Sequence, residues 1–170
     1  MQPLAQPPRP RPYSSALDLR RVQAVLEHAV KLRTYIVEDN ATIRENLIGT
    51  LEELADVQAV GSAATEEEGK AWLTAHPAQW DLAIVDLFLR QGSGLGVLAA
   101  CAGRSSAQKL VVLSNYATPD VRMRCAQLGV DAVFDKSNEI EALVDFCVTR
   151  CTQHLPTDAL VQAAIGPGQA

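Results

Sequence analysis

The sequence predicts an open, doubly wound α/β sheet in which five parallel strands alternate with crossover helices. Three observations predict it. From Arg33 onward, short β-branched and aliphatic runs alternate with stretches of helical apolar spacing, the pattern of repeated βα units. Several of those runs are almost continuously apolar, Lys109-Leu110-Val111-Val112-Leu113 being the clearest, as expected for strands covered on both faces. Acidic residues directly follow two of them, Glu38-Asp39 after Tyr35-Ile36-Val37 and Asp86 after Ala83-Ile84-Val85. In an open parallel sheet, ligand chemistry collects at the carboxyl ends of the strands, where helix N-termini supply positive potential.

The elements follow in order. Residues 1–14 are rich in Pro, Gln and Arg and bury too little apolar surface to repay ordering, so they read as a disordered tail. Residues 15–31 carry Leu19, Val22, Leu26, Ala29 and Val30 at helical spacing, which predicts an extra amphipathic N-terminal helix. Its apolar stripe needs cover, from the chain's own domain or from a dimer or partner contact. A compact domain then spans residues 32–154, and 155–170 form a C-terminal tail ending in Gly166-Pro167-Gly168. Strand one is read at 33–38, before a helix from Asn40 with Ile43, Leu47, Leu51 and Leu54 on one face. Strand two covers 57–62. Thr65-Glu66-Glu67-Glu68 has the form of a capping box, with Thr65 as N-cap and Glu68 three residues on. Strand three covers 82–87, Gly92-Ser93-Gly94 punctuates the next loop, and a short helix runs over 95–102. Ser114 ends strand four. Thr118-Pro119 supplies an N-cap and first-turn proline for a helix with Val121, Cys125 and Leu128 on one face, closed by Gly129. Strand five covers 131–134, Lys136 follows it, and Asn138 with Glu141 is read as the cap of a last helix burying Leu143, Val144, Cys147, Val148 and Cys151.

Composition narrows the function. A net charge of -5 and no cluster of Lys and Arg with interleaved aromatics argue against direct nucleic-acid binding. Met1-Gln2-Pro3 leads into prolines and arginines without an apolar core, and no apolar run is long enough to cross a bilayer, so a cytoplasmic protein with no membrane partner is expected. Cys101, Cys125, Cys147 and Cys151 show no C-x-x-C pair, and reduced, mostly buried thiols are the expectation. Cys147, Cys151 and His154 share a helical face, but simple apolar packing accounts for it better than a metal half-site without further ligands.

Glu38-Asp39, Asp86, Ser114 and Lys136 follow strands one, three, four and five, so a right-handed doubly wound sheet projects them from one edge. Taken singly, an acid after a strand is usually a helix cap, a serine turn chemistry and a lysine solvated surface. Their joint placement is what signifies. Three neighbouring carboxylates repel unless a divalent cation neutralises them, and an all-oxygen set favours Mg²⁺, with Mn²⁺ as a substitute, over zinc. In phosphoryl transfer the protein positions an in-line nucleophile and neutralises charge on the equatorial oxygens, work suited to a cation, an ammonium and a hydroxyl. A resting ion pair between Lys136 and a carboxylate is also expected.

Over about 33–152 the chain resembles the receiver domain of bacterial response regulators, the CheY-like family. The resemblance rests on Val37-Glu38-Asp39-Asn40, on Ile84-Val85-Asp86-Leu87 with Gly94 eight positions later, on Leu113-Ser114-Asn115-Tyr116-Ala117, and on Phe134-Asp135-Lys136-Ser137. It implies a flavodoxin-like strand order 2-1-3-4-5 and two-component signalling. Carried over position by position, Asp86 is the phosphoacceptor, served by a histidine kinase or phosphotransfer protein. Glu38, Asp39, Asp86 and the Phe88 backbone carbonyl would hold Mg²⁺, while Ser114 and Lys136 would contact the phosphoryl oxygens.

Two departures alter that picture. Three positions before the lysine the family usually has a rotating aromatic switch; here Val133 stands there, with Phe134 one residue later and facing the other side of the strand. Tyr116 is therefore assigned part of the switching role. Ser137 replaces a proline that is often cis in the family, so an ordinary trans peptide is expected. Phe88 and Tyr116 flank the acceptor and offer no group to orient water, which predicts slow autodephosphorylation. Only a short tail without a recognisable helix-turn-helix follows the last helix, so a stand-alone receiver without its own output domain is expected. The resemblance implies that it is read by a downstream protein or a homodimer partner at the fourth helix, fifth strand and fifth helix, or acts as a phosphate relay. The rival readings are a phosphorylation-independent scaffold or dimerisation module, and a phosphatase with an aspartyl nucleophile. The latter needs a second acid two residues after Asp86, where Phe88 stands.

Overall fold

The computed structural model describes residues 31–153. The expected N-terminal tail, nearly all of the amphipathic helix, the C-terminal tail and His154 lie outside the described residues.

Strands β1 (Leu32–Val37), β2 (Val57–Ala63), β3 (Leu82–Val85), β4 (Lys109–Ser114) and β5 (Ala132–Asp135) alternate with α1 (Ala41–Leu54), α2 (Glu66–Ala75), α3 (Gly94–Ala100), α4 (Pro119–Gln127) and α5 (Ile140–Gln153). All strand pairs are parallel and the order is β2-β1-β3-β4-β5. The expected doubly wound sheet is therefore the observed one. Alternate side chains of each strand enter opposite layers. Tyr35, Val37, Ala83, Val85, Leu110 and Val112 pack with Leu73 of α2, Val97 and Leu98 of α3, and Cys125 of α4. Leu32, Ile36, Leu82, Ile84, Val111 and Leu113 pack on the other side with Leu47 and Leu51 of α1 and with Leu143, Cys147 and Cys151 of α5.

Local chemistry sets the helix starts. Asn40, Thr65, Ser93 and Thr118 each accept a first-turn N–H with the side chain and so satisfy an otherwise orphaned donor. The capping box at Thr65 forms with a shift: Thr65 Oγ1 accepts from the Glu68 N–H, while the Glu68 carboxylate reaches the N–H of Ala64. Gly129 ends the α4 turn at φ 75°, a conformation costly for other residues.

Three expectations change. On α1 only Leu47 and Leu51 are buried, whereas Ile43 and Leu54 are exposed. Burial of Leu51 is worth roughly 1.5–3 kcal/mol, and Leu54 forgoes most of such a gain because the sheet covers a narrower stripe than the periodicity suggests. On α5, Val148 is exposed and Val144 only partly buried. Finally, α5 begins at Ile140, so Glu139 and not Asn138 precedes it. The Glu139 carboxylate accepts the Asp135 N–H at 2.7 Å and the Arg122 guanidinium at 2.7 Å. The four cysteines are free and buried, as expected. No peptide bond among the described residues is cis, including that of Ser137. No helix among them is long and apolar enough to cross a membrane.

Candidate functional site

Parallel register brings the expected residues to one edge. Val37 of β1 pairs with Val85 of β3, and Ser114 of β4 with Asp135 of β5, so the residues that follow leave the sheet side by side. The ladder continues one step beyond the strands. The N–H of Asp86 donates to the Val37 carbonyl at 2.9 Å, that of Glu38 to Ala63 at 3.0 Å, and that of Lys136 to Ser114 at 3.1 Å. Each side chain thus departs from a fixed backbone. The opposite edge holds the ion pairs Arg33–Asp81 and Arg104–Asp131, which tie strand starts together.

Glu38, Asp39 and Asp86 present carboxylate oxygens that all lie within 4.8 Å of one another. Lys136 Nζ donates to Asp86 Oδ2 at 2.7 Å and also to Glu38 Oε2. The three side chains are only 9, 7 and 4 % exposed. Burial pushes the Lys136 ammonium toward losing its proton, but its hydrogen bonds and charge attraction to Asp86 and Glu38 outweigh this, and its pKa ends above the ordinary lysine value. The resting ion pair expected from the sequence is present, and it binds two carboxylates rather than one.

Other oxygens of the cluster also accept hydrogen bonds. Glu38 Oε1 accepts from the Asn40 N–H, and its backbone carbonyl receives Arg44 Nη1 at 2.7 Å. Asp39 Oδ2 accepts the Arg90 N–H at 3.0 Å and pairs with the Arg90 side chain. Asp86 Oδ1 accepts the Phe88 N–H at 3.2 Å. Ser114 is fully buried, its Oγ accepting the Tyr116 N–H. The Phe88 and Tyr116 rings meet edge to face with centroids 4.9 Å apart, and they remain 58 and 60 % exposed.

Gly94 matters for a steric reason. A Cβ at that position would lie 2.1 Å from the Asp86 carbonyl oxygen, so only glycine lets α3 begin this close to Asp86. Val133 packs on the α4 side and its carbonyl accepts Arg122 Nη1 at 2.6 Å. Phe134 turns to the α5 side, where its ring meets Phe146. The predicted division of these two residues across β5 holds. Arg44, Arg90, Arg122 and Glu66 contribute contacts that sequence reasoning missed, because each joins positions far apart or borrows a backbone group.

Residues 34–147 match the response regulator receiver domain family. The chain belongs to that family. Its receiver domain places it in two-component signalling. The chain is 27% identical over 123 residues to YvfU of Bacillus subtilis (strain 168), an uncharacterized transcriptional regulatory protein; the match covers 72% of this chain but only 60% of that relative's length. Among solved structures, the fold resembles CheY of the CheX-CheY-BeF3-Mg+2 complex from Borrelia burgdorferi, with a TM-score of 0.63, 13% identity and coverage of 84% and 95% of the two chains. It is also similar to the complex of the P1 domain of CheA3 with CheY6 from R. sphaeroides, at a TM-score of 0.56, 24% identity and coverage of 69% and 97%. The receiver domain's acidic cluster consists of oxygen donors alone, which suits a hard divalent cation and not zinc.

Proposed function

We propose that this receiver domain is a cytoplasmic response regulator that accepts a phosphoryl group on Asp86 from a histidine kinase or phosphotransfer protein. The observation that carries the reading is the buried Lys136 ammonium bridging Asp86 and Glu38 within the acidic cluster. A lone ion pair at a strand end is common, whereas an ammonium shared by two buried acids, with a third acid in reach, matches the charge demands of phosphoryl transfer. Glu38, Asp39, Asp86 and the Phe88 carbonyl would hold Mg²⁺, which when bound neutralises charge on the phosphoryl oxygens.

An oxygen of Asp86 attacks phosphorus in line, the bond from phosphorus to the donor imidazole nitrogen breaks, and that nitrogen takes up a proton. Lys136 transfers a hydrogen bond from Asp86 Oδ2 to a phosphoryl oxygen, and Ser114 Oγ supplies a second donor after leaving the Tyr116 N–H. Loss of that hydrogen bond releases the Tyr116 backbone and lets Tyr116 move. The chemistry ends there, apart from hydrolysis, which Phe88 and Tyr116 slow by excluding and failing to orient water. The CheY6 complex with a P1 domain supports the donor class. In the phosphorylated form, the surface of α4, β5 and α5 is read by a separate protein or a second copy of the chain.

Beryllofluoride with Mg²⁺ tests the reading by amide NMR. Saturable shifts at Asp86, Ser114 and Lys136 are expected, and they vanish in Asp86→Asn or with chelator. Shifts that persist in Asp86→Asn would contradict the assignment.

A further inference from the structure

The loop that follows Asp86 is held from outside the site by one carboxylate. Glu66, the first residue of α2, accepts the Ser93 N–H at 2.7 Å through Oε2, and its own N–H donates to the Gln91 carbonyl at 3.2 Å. Ser93 Oγ in turn caps α3 at Leu95, and the Gly94 N–H returns to Leu87. The sequence makes room for this carboxylate. A Cβ on Gly96 would lie 1.8 Å from Glu66 Oε1, and one on Gly92 would lie 2.4 Å from Glu66 Cβ. On the other side the loop is packed only in part, with Leu87 buried in the core and Phe88 exposed. Leu87, Phe88, Leu89, Arg90, Gly92 and Ser93 line one side of a cavity of about 450 Å³ whose other wall is formed by α4. Side chains bordering an open cavity forfeit dispersion contacts on that face, so packing alone does not hold the loop there.

The same loop carries the groups that serve the acceptor: Phe88, whose N–H binds Asp86 Oδ1, and Arg90, whose N–H binds Asp39 Oδ2. We infer that Glu66 is a positioning residue for the metal and phosphoryl site, fixing the 87–93 loop so that Phe88 and the Asp39 carboxylate are preset for a divalent cation. This inference rests on the proposed reading of the Asp86 site. Outer contacts of this kind orient ligands without touching the metal.

The test is the Mg²⁺ dissociation constant, read from the amide shifts of Asp86, Phe88 and Gly94 in the full chain, with thermal unfolding recorded alongside. Glu66→Ala is expected to weaken Mg²⁺ binding about tenfold, the lower end of outer-contact effects. Glu66→Gln keeps an acceptor for the Ser93 N–H and is expected to retain most of the affinity. Glu67→Ala removes the same charge one residue away, from an exposed side chain, and is expected to stay within about twofold because salt screens it. Gly96→Ala, which evicts the carboxylate, is expected to reproduce the Glu66→Ala loss. Combined with Glu66→Ala it should add nothing, since both remove one interaction. Equal losses in Glu66→Ala and Glu67→Ala, additive losses in the double variant, or an unmoved dissociation constant would overturn the inference while leaving the acceptor reading intact. A wild-type chain that binds no Mg²⁺ would overturn both, and so separates the two failures.

Discussion

Replacing Lys136 with methionine isolates what the ammonium does in the resting site. The stem of the side chain keeps its volume, but two carboxylates, 4 and 7 % exposed, lose the charge between them. Removing one member of a buried ion pair costs about 3–5 kcal/mol, because the desolvated partner is left uncompensated. For a domain of this size that corresponds to a fall in Tm on the order of 10 °C or more. A divalent cation at the same carboxylates should offset the loss, since binding to the folded state alone stabilises it by mass action. Lys136→Met is therefore expected to be much less stable than the wild type in chelator, and to gain more stability from millimolar Mg²⁺ than the wild type does. Urea unfolding at matched pH, with and without Mg²⁺, reads both. A variant as stable as wild type in chelator, or one that Mg²⁺ fails to restore, would refute the claim that Lys136 holds two mutually repelling acids.

Other outcomes follow from the same geometry. Gly94→Ala forces a methyl group against the Asp86 carbonyl, so it should cost about 1–3 kcal/mol and displace the acceptor, read as lost phosphoryl uptake beside a lowered urea midpoint. Phe88→Asn and Tyr116→Ala should each shorten the lifetime of the phosphorylated form, measured by loss of the adduct with time. Tyr116→Ala should also weaken phosphorylation-dependent partner binding. Burial, with a smaller effect of Cys151, pushes the Cys147 thiol from 9.0 up to about 12, so folding keeps it protonated where the unfolded chain would ionise. That contribution is complete below about pH 9 and is lost as pH rises toward 12, so unfolding free energy should decline across that window, and less steeply in Cys147→Ala.

Much of the fold was legible because buried parallel strands announce themselves as apolar runs, and the order of those runs constrains topology. Val111, Val112 and Leu113 admit little else. The site was legible for the same reason: once five strands are parallel, the residues just after them must converge. Exposure was harder to read. Ile43 and Leu54 share the helical period of Leu47 and Leu51, and periodicity does not say how wide a stripe the sheet covers. Asn138 looked like a local cap, yet the helix starts one residue later, after Glu139, whose carboxylate takes the Asp135 N–H and the Arg122 guanidinium. Glu66 was visible only as an acid in a capping box, and its hold on Ser93 spans 27 residues. Gly96, the position that admits it, carries no signal until both backbones are placed.

Intact mass after incubation with acetyl phosphate and Mg²⁺ tests the central claim most directly, with Asp86→Asn and a chelated sample beside it. The account predicts a single phosphoryl adduct on the wild type that is absent from both controls. No adduct with any small-molecule or phosphohistidine donor, or an adduct that survives in Asp86→Asn, would contradict it.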